Sequence, residues 1–372
     1  MIHRGFTSFK NNMKVLFLSR LFYPHIGGVE KHVLEISKIL VSKGHKVVVI
    51  SEQPQASYNN GYQSNSSSDR SVGKLKNLES YNINPGKDDW FKKFRIWKEL
   101  WTYRDLIRNA DVVHCHDVFF WYLPFRFLFL RKPVYTTFHG YEGNSIPNKK
   151  AIFMHKISEK LSYGNICVGD FLKKWYGTKP TFITYGAVDF QKIKEYINKK
   201  SNAKKTNSKI IFFGRLENET GIIKYLEALK ILKKKGITLT LDIYGEGSLK
   251  EAVNKYKEAN NLNINLKGFI MNIESVLNNY EYVFCSRYLS ILESMAFRKP
   301  IFAEYNNAIK KDYLQMAPFA KYISISKDGN EIAKSLEEFL LKEKRLNVED
   351  AYAWVRTETW DKMVDTYLKL WK

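Results

Sequence analysis

The chain has 372 residues, enough for two domains that each bury a core, and its 44% hydrophobic and 26% charged residues are those of a globular protein. Sixty Lys and Arg against 38 Asp and Glu leave a net charge of +22, which predicts attraction to nucleic acid, an anionic membrane face or a phosphorylated substrate. Cys115, Cys167 and Cys285 are far apart in apolar runs, the start lacks an apolar h-region, and no apolar run approaches about 20 residues, so neither a disulfide framework, a secretory signal nor a spanning helix is expected.

In chain order, Lys14 to Arg20 reads as a buried strand. Gly27-Gly28 follows it, and a helix runs from Val33 with apolar residues at 33, 36, 39 and 40. Paired glycines there either cradle an anion on the helix N-terminus or make a plain tight turn. Gly44 to Ser51 is a second strand, and 53–73, rich in Ser, Asn and Gln, is a loop. Aromatics at 90, 94, 97 and 101 form a helical stripe beside bases; with 121–132 they predict a surface for anionic lipid, the alternative being a helix packed on the sheet, as Ile96, Leu100, Tyr103 and Ile107 are expected to be. Asp111 to Asp117 and Val134 to Gly140 are strands with polar ends. His114, His116 and Asp117 cluster there, but no second cluster supplies further ligands, so no metal is expected. Residues 191–209, with seven lysines and one Glu, read as a solvated linker. Lys209 to Arg215 repeats the pattern of Lys14 to Arg20, which predicts two Rossmann-like halves of alternating strands and helices. A long aromatic helix over 351–372 closes the chain.

Tyr282 to Ala303 reads as strand, loop, helix and strand, with Glu293 inside it and Pro300 ending the helix. An acid in such a loop of a parallel sheet sits where these sheets bind ligands. Glu293 before Ser294-Met295-Ala296 and then Lys299-Pro300 resembles the C-terminal signature of the GT-B retaining glycosyltransferases of family 4. That pattern usually carries a second Glu eight positions earlier, where this chain has Cys285, and Tyr288-Leu289-Ser290 replaces the usual loop. Gly27-Gly28, Phe138-His139-Gly140, Gly214-Arg215, Tyr244-Gly245-Glu246 and Gly268-Phe269 extend the resemblance in the same order as in the family.

The resemblance implies an α/β GT-B fold: two Rossmann-like domains with parallel sheets facing across a cleft. Residues 13–190 would form the acceptor domain, completed by helix 351–372, and 207–350 the donor domain. It implies retaining, metal-independent transfer of a hexose from a UDP- or GDP-linked sugar, which is a substrate and not a cofactor, to a hydroxyl of a glycan or lipid-linked acceptor. A cytoplasmic protein, peripheral on the inner membrane face and without a nucleic-acid partner, fits that reading. By resemblance His139, Arg215 and Glu293 are catalytic, and His116, Asp117 and His139 lie on the acceptor side. Gly27, Gly28, Arg215, Gly245, Glu246, Gly268, Phe269, Tyr288, Leu289, Ser290 and Glu293 hold the donor. Where the family places a lysine five residues after the arginine, this chain has Thr220; Lys224, Lys310 and Lys311 are the candidate replacements. The alternatives are a non-catalytic GT-B partner protein and a GT-B sugar-nucleotide epimerase.

Overall fold

A computed structural model describes residues 12–25, 27–52, 77–140, 145–198, 209–343 and 345–372; the expected loop over 53–73 lies outside them. The first seven strands are β1 (Lys14–Ser19), β2 (Lys46–Glu52), β3 (Leu78–Ile83), β4 (Val112–His116), β5 (Val134–Phe138), β6 (Asn165–Val168) and β7 (Phe182–Thr184). Between them run α1 (Gly28–Ser42), α2 (Lys92–Thr102), α3 (Arg104–Asn109), α4 (Phe119–Leu128), α5 (Lys149–Leu161) and α6 (Phe171–Tyr176). After α7 (Phe190–Asn198) come β8 (Lys209–Phe213), α8 (Ile222–Lys234), β9 (Thr240–Tyr244), α9 (Lys250–Ala259), β10 (Ile264–Gly268) and β11 (Tyr282–Phe284). Then follow α10 (Tyr288–Ala296), β12 (Ile301–Glu304), α11 (Ala308–Gln315), β13 (Ser324–Ser326), α12 (Gly329–Leu340), α13 (Val348–Val355) and α14 (Trp360–Leu370).

The chain divides into two compact units. Among the described residues, the first holds the chain through β7, except for 145–146, and Trp360–Lys372; the second holds Tyr185–Thr359 together with 145–146. In the first, seven parallel strands run in the order β3-β2-β1-β4-β5-β6-β7. In the second, six parallel strands run β10-β9-β8-β11-β12-β13. Each unit therefore has the doubly wound order, its first strand lying between its second and its fourth. The central strands β1, β2 and β8 are continuous apolar runs, as expected where helices cover both faces of a parallel sheet. β4 and β5 are buried at every position.

Three sequence expectations change. Residues 191–198 of the expected linker belong to the helix α7, with Ile193 buried and Phe190 against Tyr352 in the second unit; 199–208 lie outside the described residues. The expected helix over 351–372 is two helices, α13 and α14, which belong to different units. Accordingly the units change at Thr184–Tyr185 and Thr359–Trp360, not at 190 and 350. The break has a physical cause: α14 buries Trp360, Val364 and Tyr367 in the first unit, while α13 buries Ala351 and Val355 in the second.

Candidate active site

A doubly wound sheet binds its ligand at the carboxyl edge between its first and fourth strands. In the second unit that edge lies between β8 and β11, whose last paired residues are Phe212 and Phe284. Three positions beyond each stand Arg215 and Arg287. Arg215 donates to Glu219 Oε1 at 2.8 Å, and the Arg287 guanidinium lies 3.8 Å from the same oxygen. The Arg215 side chain is 62% exposed and that of Arg287 35%, whereas the Glu219 carboxylate between them is 9% exposed. Arg215 was legible in the sequence; Arg287 was not, because a lone arginine in a loop carries no pattern.

Each lysine considered as a replacement at Thr220 has a neighbour of its own. Lys310 is fully buried with its Nζ 2.6 Å from Glu304 Oε2, and burial pushes its ammonium down and the Glu304 carboxyl up. Lys224 pairs with Glu227 at 3.1 Å, and Lys311 lies 5.9 Å from the Tyr305 ring centre. Glu217 turns away from the edge to accept from the Ser248 amide at 2.9 Å and its hydroxyl at 2.5 Å.

The glycines of the β9 and β10 loops have a structural role. A Cβ on Gly245 would stand 1.9 Å from the Gly214 carbonyl oxygen, and one on Gly247 2.4 Å from that of Leu216. Only bare backbone allows the contact that seats Gly214-Arg215-Leu216, closed by Gly214 N–H to Tyr244 O at 3.0 Å and Leu216 N–H to Glu246 O at 2.9 Å. Gly268 supports this layer by accepting from the Gly245 amide at 2.9 Å, Glu246 pairs with Lys250, and Phe269 is half-buried.

In α10, the expected donor contact through Tyr288 needs correction. Its ring is buried and stacked on Tyr313 with centres 3.8 Å apart, its hydroxyl donates to the Tyr313 carbonyl and its amide donates to the Tyr313 hydroxyl. Tyr288 is a packing anchor. Leu289 and Ser290 are half-buried, and Leu289 covers Gly186. Glu293 is 7% exposed in the middle of α10. Cys285 is buried with its Sγ 4.0 Å from Ser294 Oγ, and burial pushes its thiol up.

In the first unit, Gly27 caps α1 without a side chain, and the space a Cβ would fill is taken by the Glu30 carboxylate, 2.3 Å from that position. The helix end foreseen as a phosphate cradle at Gly27-Gly28 thus already faces a carboxylate, against that expectation. Asp117, with φ of 62°, accepts from the His139 amide at 2.8 Å and ties the end of β5 to that of β4.

Around these ends the buried His32, His114 and His116 and the half-buried His139 form one cluster. The set weighed from sequence, His114 with His116 and Asp117, is not the one whose ligand atoms converge: His32, His116 and His139 place theirs within 4.8 Å of one another. Proton accounting decides what they do. The Trp371 indole can only donate, so His114 Nδ1 accepts at 3.0 Å and His114 carries its proton on Nε2, 2.7 Å from Thr137 Oγ1. Thr137 then donates to Tyr367 and Tyr367 to His32 Nε2, each at 2.8 Å, the direction that leaves no hydroxyl proton in this chain without an acceptor. His32 is left protonated on Nδ1, with no lone pair for an ion. His116 Nδ1 and His139 Nε2, 2.9 Å apart, share one proton. Burial pushes His32 down to about 3 and His114, His116 and His139 well below the usual range, so all four are neutral.

Two family models match the chain: Glycosyltransferase Family 4 over residues 26–182 and Glycosyl transferases group 1 over 193–353. The chain belongs to the family 4 glycosyltransferases. Its fold, two α/β units each with a parallel doubly wound sheet, is the GT-B fold of similar solved structures. Among them is a glycosyltransferase from Rickettsia africae ESF-5, with TM-score 0.68 and 18% identity over 98% of both chains. The HepE protein of Anabaena, solved with UDP and glucose, has TM-score 0.70 and 12% identity over 96% of this glycosyltransferase and 99% of HepE. Sucrose-phosphate synthase of Thermosynechococcus elongatus has TM-score 0.72 and 12% identity over 97% and 98%. One curated relative, a component of the human phosphatidylinositol N-acetylglucosaminyltransferase, is 42% identical over 36 residues, which span 10% of this glycosyltransferase and 7% of the human protein.

Proposed function

We propose that this glycosyltransferase moves a hexose from a UDP- or GDP-linked donor to a hydroxyl of a lipid-linked or cell-envelope glycan, with retention of configuration and without a metal. The observation that carries the reading is Arg215, open to solvent at the ligand edge of the second unit's sheet and braced by a buried carboxylate. A departing nucleoside diphosphate gains negative charge, and a guanidinium already held in place stabilises it without reorganisation. Glu293 accepts from ribose hydroxyls. His139, kept neutral, hydrogen-bonds a sugar hydroxyl without adding charge, and His116 and Asp117 keep it in position on the acceptor side. HepE solved with UDP and glucose, and the name of the human relative, support a nucleotide-sugar donor and a lipid-borne acceptor.

A thermal-shift panel of UDP- and GDP-sugars on wild type, Arg215→Ala and Glu293→Ala tests the donor site. The expected result is a donor that raises the melting temperature of wild type and does so less in both variants; equal stabilisation of all three would overturn the assignment. A donor-binding protein without turnover is the second reading, favoured by Cys285, an uncharged buried thiol where the family usually has a carboxylate. Binding of a donor without hydrolysis or transfer to any acceptor would establish it.

The acceptor side of the proposal rests on a surface of the first unit. Ile96, Leu100 and Ile107 turn into the core, while Trp90, Phe91, Phe94 and Trp101 stand exposed beside the exposed Lys93, Lys98 and Arg104. Amphipathic rings among cations suit an anionic bilayer face. No helix among the described residues is long and apolar enough to cross a membrane. Flotation with phosphatidylglycerol vesicles, weakened by salt and by Trp90→Ala with Phe94→Ala, and absent with phosphatidylcholine alone, is the expected result.

A further inference from the structure

We infer that Arg287 is the second cationic contact to the donor's diphosphate, replacing the lysine that position 220 lacks; the inference rests on reading this edge as a nucleotide-sugar site. A diphosphate needs more than one guanidinium to meet its charge. Of the lysines weighed as replacements, Lys310 is sealed in the core against Glu304, Lys224 pairs with Glu227 on α8 and Lys311 lies by the Tyr305 ring, whereas Arg287 shares the Glu219 carboxylate with Arg215 at the ligand edge.

The sheet register places it. β8 and β11 pair in step at Ile210 with Tyr282 and Phe212 with Phe284, so Arg215 and Arg287 leave equivalent points on the two strands that flank the edge. Glu219 Oε1 is the common neighbour of both guanidiniums, at 2.8 Å and 3.8 Å. Each guanidinium carries five N–H donors in a fixed fork, a geometry that matches phosphate oxygens as well as a carboxylate. The carboxylate between them also offsets the repulsion that two adjacent cations would otherwise feel.

Thr220 fits the exchange. It is 5% exposed, its hydroxyl donates to Glu217 O at 2.7 Å, and its carbonyl accepts from Ser286 Oγ at 3.1 Å. The residue standing where the lysine would be therefore fastens the β8 loop to the residue before Arg287. The charge has moved from the β8 side of the edge to the β11 side, and Thr220 holds the two loops together.

Calorimetric titration of UDP, GDP, uridine and guanosine into wild type, Arg287→Gln and Arg287→Lys tests this. Losing a charge-assisted contact to phosphate costs about tenfold or more in affinity. The expected result is that loss for the diphosphate in Arg287→Gln with the nucleoside unchanged, and a smaller loss in Arg287→Lys, which keeps the charge but not the fork. Diphosphate affinity within twofold of wild type in Arg287→Gln overturns the role of Arg287 alone. Should that variant not fold, Arg287→Lys carries the test: weaker diphosphate binding with an unchanged nucleoside supports the role, and equality with wild type overturns it. Wild type that binds neither UDP nor GDP removes the nucleotide-sugar reading itself, and the inference with it.

Discussion

Glu219 separates two physical accounts of the donor edge. By charge alone, an acid 2.8 Å from Arg215 opposes anion binding, and its neutralisation strengthens binding. By position, the acid holds Arg215 through a 2.8 Å hydrogen bond and lies beside Arg287, and its loss lets the long, rotamer-rich Arg215 side chain swing into solvent. The geometry favours position, because the carboxylate is nine-tenths buried and common to both arginines. Glu219→Gln is therefore expected to weaken UDP or GDP binding several-fold, although it removes a negative charge. Titration at low ionic strength checks it, where tighter binding would favour the account by charge.

At the level of elements, the edge that carries Arg215 depends on one backbone contact. The loops after β8 and β9 touch where Gly245 and Gly247 meet the carbonyls of Gly214 and Leu216, and the first of these precedes Arg215. Gly245→Ala puts a methyl group where no space exists, so the β8 loop must move. The expected cost is about 1–3 kcal/mol of stability, as for other overpacked sites, read from the urea midpoint. A disproportionate loss of UDP or GDP binding should accompany it, because Arg215 rides on the displaced loop. A Gly245→Ala protein with wild-type binding would show that the loop is not positioned by this contact. Gly245, which the resemblance assigns to donor binding, thus acts on this edge through the backbone that carries Arg215.

For the whole molecule, the histidines set a pH limit. His32, His114, His116, His139 and His155 all lie in the first unit, and burial holds each below its ordinary value. The folded chain keeps them neutral, whereas the unfolded chain takes up protons below pH about 6.5. Stability is therefore undiminished above that pH and declines as pH falls through the window beneath it, toward about 3 for His32 and His155. Each such histidine contributes a slope of about 1.4 kcal/mol per pH unit there. The urea midpoint of the first unit is expected to drop clearly between pH 7.5 and 5.5. An unchanged midpoint would show that the cluster is already open to protons in the folded state.

The sequence by itself determined the two-sheet architecture and the family and singled out Arg215 at a strand end, because all three are written in local patterns. Apolar runs of strand length, their repetition at Lys14 and Lys209, and glycines at strand ends need no distant partner to be read. It also placed the inward faces of α2, at Ile96 and Leu100, and of α3, at Ile107, since helical spacing fixes a face. Only the tertiary structure decided which polar groups remain available. Tyr288 is spent on Tyr313, Lys310 on Glu304 and Glu217 on Ser248, through partners 25, 6 and 31 positions away. His32 joins His116 and His139 because α1, β4 and β5 bring their ends together, and Arg287 reaches Glu219 because β8 lies beside β11. Strand order is set by burial across the whole sheet, a property that no local window of sequence contains.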